Sequence, residues 1–303
     1  IQKYIPTGKF VAFYVAFGQF MVAVFGITHI FVELVNLKPL MERVRPILEE
    51  KPENEAGAIL PGEVRGHVEF KDVYFRYEDN APFVLDGISF QASPGQFIAI
   101  VGPSGAGKST IVRLLLGFEN PEAGSVFVDG IPLSELDKRM IRRSYGVVLQ
   151  SGKILSGTLF NNISAGAYIT MDQAWEAARM AGLDQDIKAM PMGMDTYLGE
   201  GATTLSGGQR QRLMIARAVA RKPRILIFDE ATSALDNETQ NLVSQRIEDM
   251  QSTRIVIAHR LSTIVNADKI YVVDKGRVVE EGNYLSLLSQ NGLFKQLTHR
   301  QLV

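Results

Sequence analysis

The chain has no cysteine, a single tryptophan and almost no imbalance of charge. Its 303 residues carry 32 Lys and Arg against 33 Asp and Glu, a formal net charge of −1. Without cysteine there is no disulfide framework, no thiol nucleophile and no zinc–thiolate centre. A near-neutral total gives no global attraction to nucleic acid or anionic lipid, so any anion binding must be local. Internal repeats, low-complexity tracts and heptad runs are also missing. The length allows one large domain plus an appendage, with a core that needs no covalent staples.

Charge is missing altogether between Phe10 and Val32, where Phe, Val, Ala and Ile dominate. As a helix this stretch extends about 35 Å against about 30 Å of bilayer hydrocarbon, which predicts one transmembrane helix. A buried helix of a soluble protein is the alternative. A secretory signal does not fit, because no small-residue cleavage site follows and the next stretch is helical and charged. Gly18, Gln19, Gly26, Thr28 and His29 interrupt the apolar run, as expected of a helix packed against others or lining a passage. His29 reads either as a substrate or proton contact or as a neutral histidine packed between helices. A lone spanning helix at residue 1 leads us to expect the C-terminal part of a longer multi-spanning protein.

From Asn36 to Glu50 the apolar residues Leu37, Leu40, Met41, Val44, Ile47 and Leu48 recur at three and four with charges between, so the helix is expected to leave the membrane and kink or break at Pro46. Lys51 to Gly62 has linker composition. The expected division is a last transmembrane helix in 1–36, a cytoplasmic helical extension and linker in 37–63, and a large domain in 64–303.

Within that domain Val64–Arg76 and Ile88–Gln91 alternate apolar with polar residues, as half-buried strands do; Val126–Val128 and Gly146–Leu149 continue the set. Ile225–Phe228, Arg254–Ala258 and Lys269–Val273 are short and very apolar, like strands buried on both faces of a parallel sheet. Met171–Ala181, Asp184–Met190, Gly207–Arg221 and Asn237–Met250 read as helices. Alternating strands and helices predict an α/β nucleotide-binding core.

The organising stretch is Gly102-Pro103-Ser104-Gly105-Ala106-Gly107-Lys108-Ser109-Thr110, preceded by the apolar run Gln96–Val101 and followed by Ile111–Leu116 at helical spacing. Strand, glycine loop and helix make a phosphate cradle, because glycine permits backbone N–H groups to converge on an anion and the helix adds its positive end. In this pattern Lys108 reaches the β- and γ-phosphates and the Ser109 hydroxyl coordinates Mg²⁺. Downstream, the apolar Ile225-Leu226-Ile227-Phe228 ends in Asp229-Glu230. At the C-terminal edge of the sheet Asp229 would hold Mg²⁺ through its water shell and Glu230 would polarise a water for in-line attack. The alternative is a pair of solvated acids closing a buried strand.

A third element, Leu205-Ser206-Gly207-Gly208-Gln209 before a strongly helical run, is again an anion site at a helix N-terminus. A five-residue match of this kind arises by composition in about one such chain in several thousand. The segment resembles the signature of ATP-binding cassette (ABC) ATPases. That resemblance implies a P-loop NTPase core with an antiparallel β subdomain and an α-helical subdomain at about 151–222, preceded here by the transmembrane helix. It also implies two domains meeting head to tail, each ATP lying between one copy's glycine loop and Leu205, Ser206, Gly207, Gly208, Gln209 and Asp236 of the other.

Further positions are similar in order. Gln150 resembles the Q-loop glutamine that contacts Mg²⁺ and the attacking water. Ser233-Ala234-Leu235-Asp236 resembles the D-loop, and His259 the switch histidine at the γ-phosphate. Tyr77 is similar to the aromatic that stacks on adenine, and Leu198-Gly199-Glu200-Gly201 to the exporter X-loop, although Ala202-Thr203-Thr204 departs from its commoner form. The implied cofactors are ATP and Mg²⁺. The implied partners are a second ATPase domain, identical or paralogous, the protein's own membrane domain, the lipid bilayer and a transported substrate, with no nucleic acid. The run Leu149–Ile163 and the segment Phe228–Asn237 look most like bacterial bacteriocin and peptide exporters of the NHLM type, which places the ATPase on the cytoplasmic side of a bacterial cell membrane.

Two rival readings share the glycine loop and signature. A DNA-maintenance ATPase would set a long coiled coil or large insertion between them, whereas only about a hundred residues separate Thr110 from Leu205 here. An importer subunit would normally lie on a chain separate from any uncharged span.

Overall fold

A computed structural model describes residues 6–50, 53, 58–150, 152–202, 204–229, 236–258 and 260–301. The chain divides into two compact units, Ile1–Glu53 and Asn54–Val303.

The first unit is one helix, α1 (Thr7–Glu49), 43 residues long with none buried. At 1.5 Å per residue it extends about 65 Å, roughly twice the hydrocarbon thickness of a bilayer. Its length and composition suffice to cross a membrane. The helix runs through Pro39 and Pro46, so of the kink or break expected at Pro46 the break does not occur. Proline's fixed φ is itself helical, and at Pro46 the carbonyl still accepts from Glu50 N at 3.1 Å, so only its own donor is missing near the C-terminal end. His29 Nδ1 lies 3.4 Å from Glu33 Oε1 one turn on, with both side chains exposed.

The second unit is built on a six-stranded sheet in the order β12 (Arg277–Gly282), β11 (Lys269–Asp274), β3 (Phe97–Val101), β10 (Thr253–Ile257), β9 (Ile225–Asp229), β6 (Tyr145–Val148). From β11 to β6 neighbouring strands are parallel; β12 closes the edge antiparallel. Side chains alternate faces along each strand. Ile98, Ile100, Ile225, Ile227, Ile255 and Ile257 fall on one face, and Phe97, Ala99, Leu226, Phe228 and Val256 on the other. Both faces are buried, which explains the unbroken apolar runs.

The isoleucine face packs on α2 (Lys108–Leu115), through Ile111 and Leu115, and on a four-stranded antiparallel sheet in the order β2 (Leu85–Ala92), β1 (Val68–Phe75), β4 (Ala123–Val128), β5 (Ile131–Pro132). Phe70 and Phe90 stack between them at 4.4 Å. A short helix, α3 (Lys138–Arg142), precedes β6.

The opposite face packs on a helical layer: α4 (Leu159–Ser164), α5 (Met171–Met180), α6 (Asp184–Ala189), α7 (Gly207–Val219) and α8 (Asn237–Glu248). A two-stranded ribbon of β7 (Gly157–Thr158) and β8 (Tyr197–Leu198) closes this layer. Trp175 packs against its core.

Candidate functional site

Parallel order and register bring the chemistry to one edge. Ile100, Ile257 and Asp229 are level across β3, β10 and β9, and Val148 is level with Phe228. Gly102 and Gln150 each follow within two residues of those positions, so the glycine loop, Asp229 and Gln150 all leave the C-terminal edge of the same sheet, where α/β ligands bind. Asp229 is buried with 6% exposure, whereas Gln150 is exposed. Glu230, Ser233, Ala234, Leu235 and His259 lie outside the described residues.

The glycine loop is tightly seated. At Gly102 an added Cβ would collide with the Val273 carbonyl, and at Gly107 (φ +98°) it would stand 2.7 Å from Leu85 Cδ2 and 2.9 Å from the Val84 carbonyl. Ala106 N donates to the Pro103 carbonyl at 3.3 Å, and the Ala106 carbonyl accepts from Gly276 N at 3.2 Å. Gly105 (φ +80°) has open space where its Cβ would be, and Ser104 and Ser109 are exposed. Lys108 is buried with 6% exposure, its Nζ donating to the carbonyls of Gly102 and Pro103 at 2.8 Å each. Its ammonium therefore sits inside the loop. No described side chain caps α2. Its first N–H groups thus point at the loop interior with the helix dipole behind them.

Tyr77 follows β1 and lies against this helix. Its hydroxyl is 3.1 Å from Thr110 Oγ1, its ring meets Phe75 edge-on at 4.9 Å, and the Arg113 guanidinium stands 5.9 Å from its centroid. About half of the residue is exposed, leaving ring surface for a planar base beside the loop.

Leu205–Gln209 forms the start of α7. Leu205 is buried while Ser206 and Gly207 are exposed. Ser206 Oγ accepts from Gln209 N at 3.2 Å, and Gln209 Oε1 accepts from Ser206 N at 2.9 Å, a reciprocal capping box. Gln209 Nε2 donates to Asp186 Oδ1 at 2.8 Å, and Arg212 Nη2 lies 3.0 Å from Asp186 Oδ2. The glutamine's amide is thus directed inward, bracing the loop on α6. The Ser206-x-x-Gln209 spacing signals that box in the sequence; the bracing by Asp186 has no local signal. Asp236 caps α8, accepting from Thr239 N at 2.9 Å and Thr239 Oγ1 at 2.8 Å, and these bonds hold its carboxyl below the ordinary range.

A hydroxyl, an amide and a buried carboxylate at one sheet edge are oxygen donors of the kind Mg²⁺ takes alongside phosphate oxygens and waters. The residues therefore fit a Mg²⁺–nucleotide. Fold and loop geometry together define a P-loop nucleotide-binding domain. Comparison with known proteins narrows this. Residues 85–233 match the sequence model of the ABC transporter family. The chain is 41% identical over 293 residues to the alpha-hemolysin translocation ATP-binding protein HlyB of Escherichia coli O157:H7, covering 96% of this chain and 42% of that protein. It is 38% identical over 302 residues to the leukotoxin export ATP-binding protein LtxB of Aggregatibacter actinomycetemcomitans, covering 98% of this chain and 43% of the relative. The solved structure of a bacterial Atm1-family ABC exporter with ATP bound superposes with a TM-score of 0.83 at 37% identity, over 88% of this chain and 47% of that one. Residues 85–233 thus carry an ABC transporter family domain. The chain spans less than half the length of the curated relatives it matches.

Proposed function

We propose that this chain is the ATP-hydrolysing part of a bacterial exporter that moves a polypeptide across the cell membrane. In this reading 1–36 hold the last membrane-spanning helix and 37–63 a cytoplasmic helical extension and linker, with α1 running from the first into the second, and residues 64–303 form the ATPase facing the cytoplasm. The observation that carries it is the convergence of the glycine loop, Asp229 and Gln150 on one sheet edge, with a second helix N-terminus at Ser206–Gln209. One ATP needs only one phosphate cradle, so the second serves a neighbouring copy, identical or paralogous. The toxin-exporting relatives support a polypeptide substrate, and the uncharged stretch Phe10–Val32 of α1 supports a bilayer partner.

Each residue then has a role. The glycine loop's N–H groups and the dipole of α2 bind the phosphates. Lys108 exchanges its bonds to the Gly102 and Pro103 carbonyls for the β- and γ-phosphates. Ser109, Asp229 and Gln150 would hold Mg²⁺, which neutralises charge on the phosphate oxygens. Glu230 takes the proton of the attacking water, His259 contacts the γ-phosphate and orients Glu230, and Tyr77 stacks on adenine. Ser206 and the N–H groups of Gly207 and Gly208 close on the γ-phosphate from the partner copy, with Leu205 and Gln209 supporting them and Asp236 beside the interface. Binding and release then alternate, rocking the attached helices between two orientations.

The test uses purified chain in detergent or liposomes. Lys108→Ala is expected to abolish Mg-ATP binding. Glu230→Gln is expected to bind ATP, lower turnover by at least about 100-fold and accumulate nucleotide-bound dimers. Wild-type turnover in Glu230→Gln would remove Glu230 as base. Turnover stimulated by DNA and indifferent to membranes would replace the exporter reading with that of a DNA-maintenance ATPase.

A further inference from the structure

The helix that begins at the signature is gripped at its far end by an interaction whose chemistry exceeds what packing requires. Arg217 lies ten residues past Gly207 on α7, about 15 Å along the axis. Its Nε donates to the Asn162 carbonyl at 2.8 Å, its Nη2 to Asn162 Oδ1 at 2.6 Å and its Nη1 to the Lys153 carbonyl at 3.0 Å. Among the described residues no carboxylate pairs with it. Burial holds this guanidinium below its ordinary pKa.

Asn162 is 1% exposed and uses its whole amide. Nδ2 donates to the carbonyls of Leu155 and Thr158 at 2.9 and 3.1 Å, while Oδ1 accepts from Leu155 N at 3.0 Å as well as from Arg217. All of these backbone partners belong to 153–158, the segment that follows Gln150. An aliphatic pair would fill the same space without the cost of desolvating an unpaired cation. What arginine and asparagine add is direction: a planar fork clamped to one amide, which is clamped in turn to the loop. At the other end of α7, Asp186 holds Gln209 and Arg212.

We infer that Asn162 and Arg217 are positioning residues that join the segment after Gln150 to the signature helix, so that Lys153–Thr158 and Ser206–Gly207 move as one rigid piece. The inference rests on the proposed reading of Gln150 and the signature as parts of one nucleotide site. Any displacement of 153–158 is then delivered along α7 to the loop that closes on the partner's phosphate. Breaking the joint leaves each chain's own ATP cradle intact but uncouples closure from it.

Because the chain has no cysteine, Leu155→Cys and Gln185→Cys, both at exposed positions, give a spin-label pair without background. The comparison is between the parent and Arg217→Lys, which keeps the charge and aliphatic stem but not the fork. In Arg217→Lys we expect ATP affinity within about twofold of the parent, with turnover at saturating ATP down about tenfold to a hundredfold. The label distance distribution should broaden even without nucleotide. An unchanged, narrow distribution, or turnover and affinity falling together with thermal stability, would overturn the joint. Should Arg217→Lys fail to fold, Asn162→Asp, which keeps the contact to Arg217 but loses the donors to Leu155 and Thr158, undergoes the same measurements. If the parent itself neither binds nor hydrolyses Mg-ATP, the proposed function fails, while the nucleotide-free distances still decide the joint.

Discussion

Two loops in this molecule end in glycines and open into helices, yet they are built on opposite plans. The loop before α2 is strained and enclosed: Gly102 and Gly107 have no room for a Cβ, Gly107 has a positive φ, and Lys108 is buried within the loop. No described side chain caps α2. The loop before α7 is relaxed and open: Gly207 has nothing but the Arg210 Nη2 at 4.0 Å near a hypothetical Cβ, and the Ser206–Gln209 box already satisfies part of the helix end. The first loop keeps its donors for an anion inside its own fold. The second caps itself and leaves Ser206 and Gly207 exposed, which in the proposed function meet a partner's phosphate. Glycine is required by backbone geometry in the first loop; in the second the space around Gly207 is open, and only the proposed function asks that it stay so.

Substituting alanine at each loop tests this contrast, and the largest effect is expected at Gly107. Gly107→Ala forces a left-handed alanine, at about 1–3 kcal/mol, against Leu85 and Val84. Displacing the loop by this strain should cost ATP affinity about 100-fold, the equivalent of about 3 kcal/mol, measured by nucleotide titration. Gly207→Ala should leave stability within about 0.5 kcal/mol and single-chain ATP binding unchanged, while turnover falls about tenfold or more because the methyl group obstructs close approach. Equal loss of affinity in both variants would erase the distinction. Next, Gln209→Ala removes the side-chain half of the box and the brace to Asp186, leaving the backbone N–H to Ser206 Oγ; we expect about 1 kcal/mol of destabilisation and a melting point lower by about 2–4 °C, with ATP affinity unaltered. The smallest effect is a control away from both loops. The Tyr145 hydroxyl is buried with no hydrogen-bond partner among the described residues, and burial pushes its pKa up. Tyr145→Phe should therefore be neutral or raise stability by up to about 1 kcal/mol in thermal unfolding.

Legibility followed the strength of local signals. The apolar runs at Ile225, Arg254 and Lys269 became parallel strands within one residue of their expected bounds, because strands buried on both faces cannot afford polar residues. The helix of the glycine loop starts at Lys108, three residues before its apolar spacing begins at Ile111, since the turn is set by Gly107 and not by amphipathicity. Strand β12 went unread: Arg277, Glu280 and Glu281 on an edge strand give no clean alternation, and only pairing to β11 defines it. Helix α4, six residues long, is too short for a period to show. At the site, Lys108, Asp229 and Ser206 were visible as motif members, but the inward turn of the Gln209 amide and the grip of Asn162 on Arg217 were not.

The sequence alone determined which local pieces exist: an uncharged helix long enough for a bilayer, a glycine loop between strand and helix, and a capping pattern before α7. These depend on neighbours within a few residues, through helix spacing, turn conformation and the cost of burying charge. Only the tertiary structure decided that the loop, Asp229 and Gln150 share one edge, and that α7 is held at Asp186 and Asn162. Those contacts join residues from 23 to more than 100 positions apart, and sheet order and hydrogen-bond direction, which bring them together, leave no periodic trace in the chain.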